Sequence, residues 1–216
     1  MTEPRPAETA VCIVGAGPVG ATLAATLASA GVPTAVIDAA PLPPMELAAF
    51  DGRAYAIALT SQRLLAAAGI WEHLPETPCP IAAIRVADGR PGERASSLAL
   101  QFDAAEVSDA PFGYMVEARS LRVALNARLP AMPHLAVHAP ATATVERQAE
   151  GATVRLSTGQ TLRARLVVAA EGRNSPLRRQ AGIRTAGFPY HQIGRAGASR
   201  IERRPTTTAL DKFRRT

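Results

Sequence analysis

The hydrophobic pattern begins with an unbroken run. Val11, Cys12, Ile13 and Val14 leave no polar position for solvent, which predicts a short strand buried on both faces, as in a parallel sheet. Gly15 stops the run. From Pro18 small and apolar residues continue to Gly31, a stretch that predicts a helix with proline in its first turn and glycine at its end. Thr34 to Ile37 then predicts a second buried strand, ending in Asp38. After the proline-rich loop APLPPM the pattern predicts a packing helix from about Ser61 to Ala68, closed by Gly69, with Leu64, Leu65 and Ala68 on one face. Alternation at Ile84 and Val86 predicts a strand over 80–87, DGRPG at 88–92 a turn, and Leu98, Leu100 and Phe102 a half-buried strand.

GYMV at 113–116 predicts another strand. In the helix that follows, Leu121, Leu125 and Leu129 recur every four residues, with Arg119 and Arg122 in its first turns. Past Pro133, the segments LAVHA, ATATVE, ATVRLS and TLRARLVVAA predict a β-meander ending in a buried strand, Leu166 to Ala170. A helix is predicted to begin within Asn174 to Arg178.

The turn between the first strand and helix carries candidate chemistry. Gly15, Gly17 and Gly20 form G-x-G-x-x-G: the first glycine allows a tight turn, the second lets the backbone approach a pyrophosphate, and the third lets helix and strand pack closely. Free N–H groups at the positive end of the helix receive the anion. Asp38 lies 18 residues past Gly20, near the spacing of about 20 at which an acid accepts both hydrogens of a ribose diol. Strand, glycines, helix, second strand and acid together predict an α/β, Rossmann-like nucleotide fold: a parallel sheet with a β-meander, interrupted by a β-rich excursion at about 76–111.

Composition narrows the class. A chain of 216 residues with 47% hydrophobic content can bury one good core. No stretch of about 18 apolar residues predicts a membrane span, and MTEPRPAETA lacks a signal-peptide pattern, so a cytoplasmic protein is expected. Cys12 and Cys79 have no metal-ligand spacing and are expected to be free thiols. His134 and His138 lie in a strand-like stretch, where a spacing of four assembles no ligand set; no metal site is predicted. The net charge of +6 is local. Residues 1–172 hold 13 Lys and Arg against 16 Asp and Glu, whereas residues 173–216 hold 11 against 2. Without interleaved aromatics this block predicts a solvated basic end and no nucleic-acid partner; phosphate, anionic lipid or an acidic protein is the alternative.

Three blocks carry a family resemblance: VGAGPVG with Asp38; DGRAYAIALTSQRLLAAAGIWEHL with PIAAIRVAD; and GYMVEARSLRVAL with AAEGRNSPLRRQAGI. With them the chain resembles the N-terminal part of the flavoprotein aromatic hydroxylases, most closely those that hydroxylate the ring of ubiquinone precursors. The resemblance implies FAD, with Gly15, Gly17 and Gly20 at its pyrophosphate and Asp38 at its adenosine ribose. It places Arg53 near the flavin and pyrophosphate and Arg119 at the cofactor, and matches Glu171 and Gly172 to an Asp-Gly pair that serves FAD and the nicotinamide donor. Each role has a plainer alternative: Arg53 as a surface residue, Arg119 paired with an acid such as Glu117, Glu171 capping the helix near Asn174.

The resemblance also implies NAD(P)H- and O2-dependent hydroxylation of an aromatic or quinone-precursor small molecule, with no catalytic side chain assigned. It leaves room for peripheral association with the inner membrane face or a multi-protein biosynthetic complex. The expected organisation is an FAD-binding domain over 1–182 and, at 183–216, the start of an incomplete β-rich substrate domain. After YHQIG the relatives' apolar strand gives way to RAGASRIERRP, which suggests a truncated form. A non-catalytic nucleotide-binding fragment or assembly partner is the alternative function. An ordinary NAD-dependent Rossmann enzyme is a third, distinguished by protection with NAD and not with FAD.

Overall fold

The computed structural model describes residues 7–42, 53–88 and 98–188, and the backbone of a strand at 208–213. The DGRPG turn beyond Asp88, the YHQIG segment and most of the basic block lie outside the described residues.

A six-stranded sheet organises the fold, in the order β8-β2-β1-β11-β10-β9. Its centre is β1 (Ala7–Val14), flanked in parallel by β2 (Thr34–Ile37) and β11 (Thr161–Ala169). The unbroken apolar runs have the expected cause: both faces of β1 and β2 are covered. On one face Val11, Ile13 and Val36 pack under α1 (Pro18–Ser29) and α3 (Ala118–Arg128). Ala21, Ala24, Ala25 and Ala28 supply the α1 side of that contact, and their small side chains bring helix and sheet close. On the other face Cys12, Val14, Ala35 and Ile37 meet Val145, Val154, Leu162 and Leu177, contributed by β9 (Ala143–Gln148), β10 (Gly151–Leu156), β11 and α4 (Pro176–Gln180).

Two sequence expectations need correction here. LAVHA does not join the meander: β8 (Leu135–His138) pairs in parallel with β2 on the far side of β1, so the antiparallel meander contains only β9, β10 and β11. Strand alternation reports which residues face a core and is silent on which neighbour supplies the hydrogen bonds. The predicted strand over 80–87 is two strands in different sheets. β4 (Cys79–Ile81) pairs with β7 (Gly113–Glu117), and β5 (Ala83–Asp88) pairs with β6 (Ala99–Asp103), with Ala82 between them.

Strands from outside the excursion complete both small sheets. β3 (Ala54–Ala58), which the pattern left unassigned, pairs antiparallel with β7, making the three-stranded sheet β3-β7-β4. A second small sheet runs β12-β5-β6, with β12 (Thr208–Phe213) parallel to β5. Helix α2 (Leu59–Ala67) starts two residues earlier than expected; Leu65 and Ala68 are buried, but Leu64 is turned largely to solvent. The helix near Asn174 begins at Pro176, after the cap residue Ser175.

Candidate functional site

At the carboxyl end of β1 the chain turns sharply into α1. The Gly15 N–H donates to the Ile37 carbonyl at 2.7 Å, joining the turn to the end of β2. Gly15 has φ +106°, and a Cβ there would lie 2.4 Å from the Ala170 carbonyl oxygen; one on Gly20 would lie 1.9 Å from the Gly15 oxygen. These two glycines are therefore required by the protein's own backbone. Gly17 differs: its φ is −59°, and a Cβ would meet no atom within 4 Å. Nothing inside the chain needs glycine there, and the space beside it is open, as the close approach of a pyrophosphate requires. The first turn of α1 carries no side-chain cap and no acidic residue. Its amides and the positive end of its dipole are thus left unpaired by the chain's own side chains, beside the opening at Gly17.

Asp38 stands at the rim of that opening. Its Oδ2 accepts the Ala16 N–H at 2.7 Å and its Oδ1 the Ala40 N–H at 2.9 Å, which fixes the carboxylate while leaving further lone pairs on each oxygen. From α3, Arg122 Nη1 donates to the Ala16 carbonyl at 2.6 Å. One turn later Asn126, itself buried, donates to the Leu42 carbonyl. Burial lowers the Arg122 pKa; the nearby charge of Asp38 and Tyr55 opposes that shift and Arg53 adds to it. Arginine's very high intrinsic pKa keeps the guanidinium charged. Arg53, exposed at its side chain, is placed beside this group by its carbonyl, which accepts the Ala118 N–H at 3.0 Å. Arg122 and Asp38 thus hold the Ala16 backbone from two sides, and Arg53 lies near enough to Arg122 to act on its charge.

The second motif lies against the first. The Ala170 N–H donates to the Val14 carbonyl at 2.7 Å, bringing the end of β11 beside Gly15. Glu171 Oε2 accepts from the Ser175 hydroxyl and, at 3.1 Å, from the Leu177 N–H, so its carboxylate caps α4. Gly172 sits at φ +80° with open space around its Cβ position.

The expected residues do not all converge. Gly15, Gly17, Gly20 and Asp38 form one group, the backbone of Glu171 and Gly172 follows directly on the strand end that touches it, and Arg53 is related to it only through its effect on Arg122. Arg119 pairs instead with Glu76 at 3.3 Å, at a partly exposed position. Arg122 is the α3 arginine that reaches the turn, and sequence reasoning gave it no role. A signal existed: Arg122 and Asn126 are two polar residues at i and i+4 that lie beside Leu121 and Leu125 of the buried stripe. A cavity of about 700 Å³, lined by Thr9, Pro33, Thr34, His134 and His138 among others, lies at the opposite end of β1 and β2 and includes none of the turn residues. Among the described residues, no three His, Cys, Asp or Glu side chains are grouped to hold a metal.

Residues 8–207 match the FAD binding domain family. The chain belongs to that family. It is 47% identical over 181 residues to the ubiquinone hydroxylase UbiL of Rhodospirillum rubrum, covering 82% of this chain and 41% of that protein. It is 31% identical over 208 residues to the 3-demethoxyubiquinol 3-hydroxylase of Escherichia coli, covering 95% of this chain and 52% of the other. Among solved structures, a four-substitution variant of PqsL from P. aeruginosa superposes with a TM-score of 0.69 at 26% identity, over 85% of this chain and 48% of that one. The chain spans about half the length of the curated relatives it matches. The Rossmann-like fold and FAD as cofactor follow from this membership, and the turn fits the group: open at Gly17, uncapped at α1 and bordered by a fixed carboxylate. No helix among the described residues is long and apolar enough to cross a membrane.

Proposed function

We propose that this chain is the FAD-binding part of a monooxygenase that hydroxylates the ring of a ubiquinone precursor, with NAD(P)H as electron donor and dioxygen as oxidant. The observation that carries the proposal is the contrast among the three glycines: Gly15 and Gly20 are fixed by backbone contacts, whereas Gly17 leaves a gap open to solvent beside an uncapped helix end and Asp38. Amides of the Gly17–Gly20 turn hold the pyrophosphate, and Asp38 accepts the adenosine ribose hydroxyls with the lone pairs its backbone bonds leave free. Arg53 balances the diphosphate charge from the start of β3. Glu171 and Gly172 complete the role set by shaping the chain beside Gly15, whereas Arg119, engaged by Glu76, takes no part in holding the cofactor. When bound, FAD supplies the redox chemistry that activates dioxygen toward an electron-rich ring. The protein's part is to orient the ring and exclude water. A cytoplasmic chain meeting a lipid-tailed ring at the membrane surface fits this substrate.

Gly17→Ala tests the proposal. The added methyl fits the free protein, so the melting temperature stays within about 3 °C of wild type, but it occupies the pyrophosphate gap and abolishes the upward shift that FAD produces in the wild type. A wild-type melt indifferent to FAD, or a Gly17→Ala variant that binds FAD normally, sinks the reading. A second reading, a nucleotide-binding assembly partner without turnover, is favoured by the exposed apolar face of β6. FAD- and oxygen-dependent NADPH oxidation stimulated by a phenolic lipid rules it out.

A further inference from the structure

The peptide joining Ala16 to Gly17 is the hinge of the turn, and the residues before it are held from two sides. Asp38 takes the Ala16 N–H at 2.7 Å, while Arg122 donates to the Ala16 carbonyl at 2.6 Å from α3. A planar trans peptide directs its carbonyl and the following N–H to opposite sides. The bond to Arg122 therefore points the Gly17 N–H away from α3. A flip of this peptide reverses the arrangement and offers a carbonyl oxygen, the wrong end of the dipole, to an anion. Such a flip requires a change of φ at Gly17, which glycine accepts at little cost. Glycine has no Cβ to oppose that change, and the position one would take meets no atom within 4 Å. The open backbone that admits a pyrophosphate is for the same reason a backbone that needs a latch.

We infer that Arg122 is that latch: a positioning residue that holds the Ala16 carbonyl so that the Gly17 N–H faces a bound diphosphate. The inference rests on the FAD reading and deepens it. Arg122 acts through the Ala16 peptide, and Asn126, one turn along α3, does the same for the Leu42 carbonyl in the loop after Asp38. Helix α3 thus staples the two backbone segments on either side of the acid that binds the ribose.

The test separates the phosphate from the ribose. Calorimetric titration of the full chain with ADP and with adenosine is compared for wild type, Arg122→Met and Arg122→Lys, together with the backbone amide spectrum of Gly17 in 15N-labelled protein. Loss of a charge-assisted hydrogen bond to the carbonyl should weaken ADP about 10- to 100-fold in Arg122→Met while adenosine changes by less than about threefold. The Gly17 amide signal of the free variant should shift or double as both peptide orientations become populated. Arg122→Lys, which keeps a donor, should recover part of the ADP affinity and the single Gly17 signal. Equal losses for ADP and adenosine, or an unchanged ADP affinity, overturn the latch. If Arg122→Met does not fold, Arg122→Lys decides: a wild-type Gly17 signal with ADP affinity lost means direct contact with phosphate and also overturns it. A folded wild type that binds neither ADP nor FAD removes the FAD reading itself, whereas wild-type binding that Arg122→Met leaves intact removes only the latch.

Discussion

Two β-regions of this molecule look alike as hydrophobic patterns and differ in what they achieve. In the β1–β2 region, apolar side chains on both faces of the strands are buried, and the strand ends converge on a turn whose Gly15 and Gly20 are fixed by backbone contacts. In the β5–β6 region, Leu98, Leu100 and Phe102 alternate as a core-facing strand should, yet they are 86%, 65% and 50% exposed. Ile84 and Val86 lie directly opposite Phe102 and Leu100, so one face of the small sheet is a continuous apolar stripe. Cover decides the difference: helices α1 and α3 lie on one face of β1 and β2 and side chains of the meander and α4 on the other, whereas among the described residues nothing of that size covers the small sheet. Alternation is a property of a strand, but burial is a property of a pair of layers.

The contrast can be broken most forcefully at Gly20. Because its Cβ would sit 1.9 Å from the Gly15 oxygen, Gly20→Ala should cost about 3–5 kcal/mol in urea unfolding, or yield no folded protein. A near-wild-type unfolding midpoint would show that helix and strand are not in this close contact. Asp38→Ala is expected next. It removes the charged acceptor of two backbone N–H groups and should lower stability by about 1.5–3 kcal/mol, with loss of adenosine binding measured by titration.

The opposite behaviour is expected in the second region. Leu100→Ser and Phe102→Ser should change unfolding free energy by about 0.5 kcal/mol or less while reducing binding of a hydrophobic dye. A loss comparable to that at Gly20 would mean the face is covered in solution. The two cysteines sharpen the same comparison chemically. Burial in β1 pushes the Cys12 thiol up to about 11, so between pH 7 and 9 it stays protonated and unreactive toward a thiol reagent in the folded chain. Cys79, half-buried beside the second region, should be modified first, and Cys12 only with denaturant; simultaneous modification would indicate an open β1.

The acid side of the pH profile probes the edge of the large sheet. Burial lowers the pKa of His138 on β8, with a hydrogen bond that its imidazole donates to the Gln160 side chain opposing the shift. A depressed folded pKa means the unfolded chain binds the proton more readily. The stability associated with neutral His138 is therefore fully present above its unfolded value of about 6.5 and declines as pH falls below it. The melting temperature should fall between pH 7 and 5, and His138→Gln should flatten that fall.

The turn was legible because its constraints are local. Three glycines at fixed spacing, an apolar strand before them and an acid at the end of the next strand are consequences of covalent geometry and of the room a diphosphate needs, and all survive as a linear pattern. Asp38 could be assigned for the same reason: strand length and the position of Ile37 carry it to the rim of the turn. Arg119 and Arg122 are three residues apart on one helix, and the rotation of that helix against the sheet sends one to Glu76 and the other to Ala16. That rotation is set by how Leu121, Leu125 and Leu129 pack over α1 and β1, a long-range contact with no linear signature.

Likewise, the partner of β8 and the division of residues 79–88 between two sheets depend on hydrogen bonds to strands far away in the chain. Side-chain periodicity and backbone freedom over a few residues placed the nucleotide turn, the helices and most strands, though not β3 or the break between β4 and β5. Which arginine meets the turn, which strand neighbours β2 and which apolar faces are covered is settled in three dimensions, by packing between layers brought together across the length of the chain.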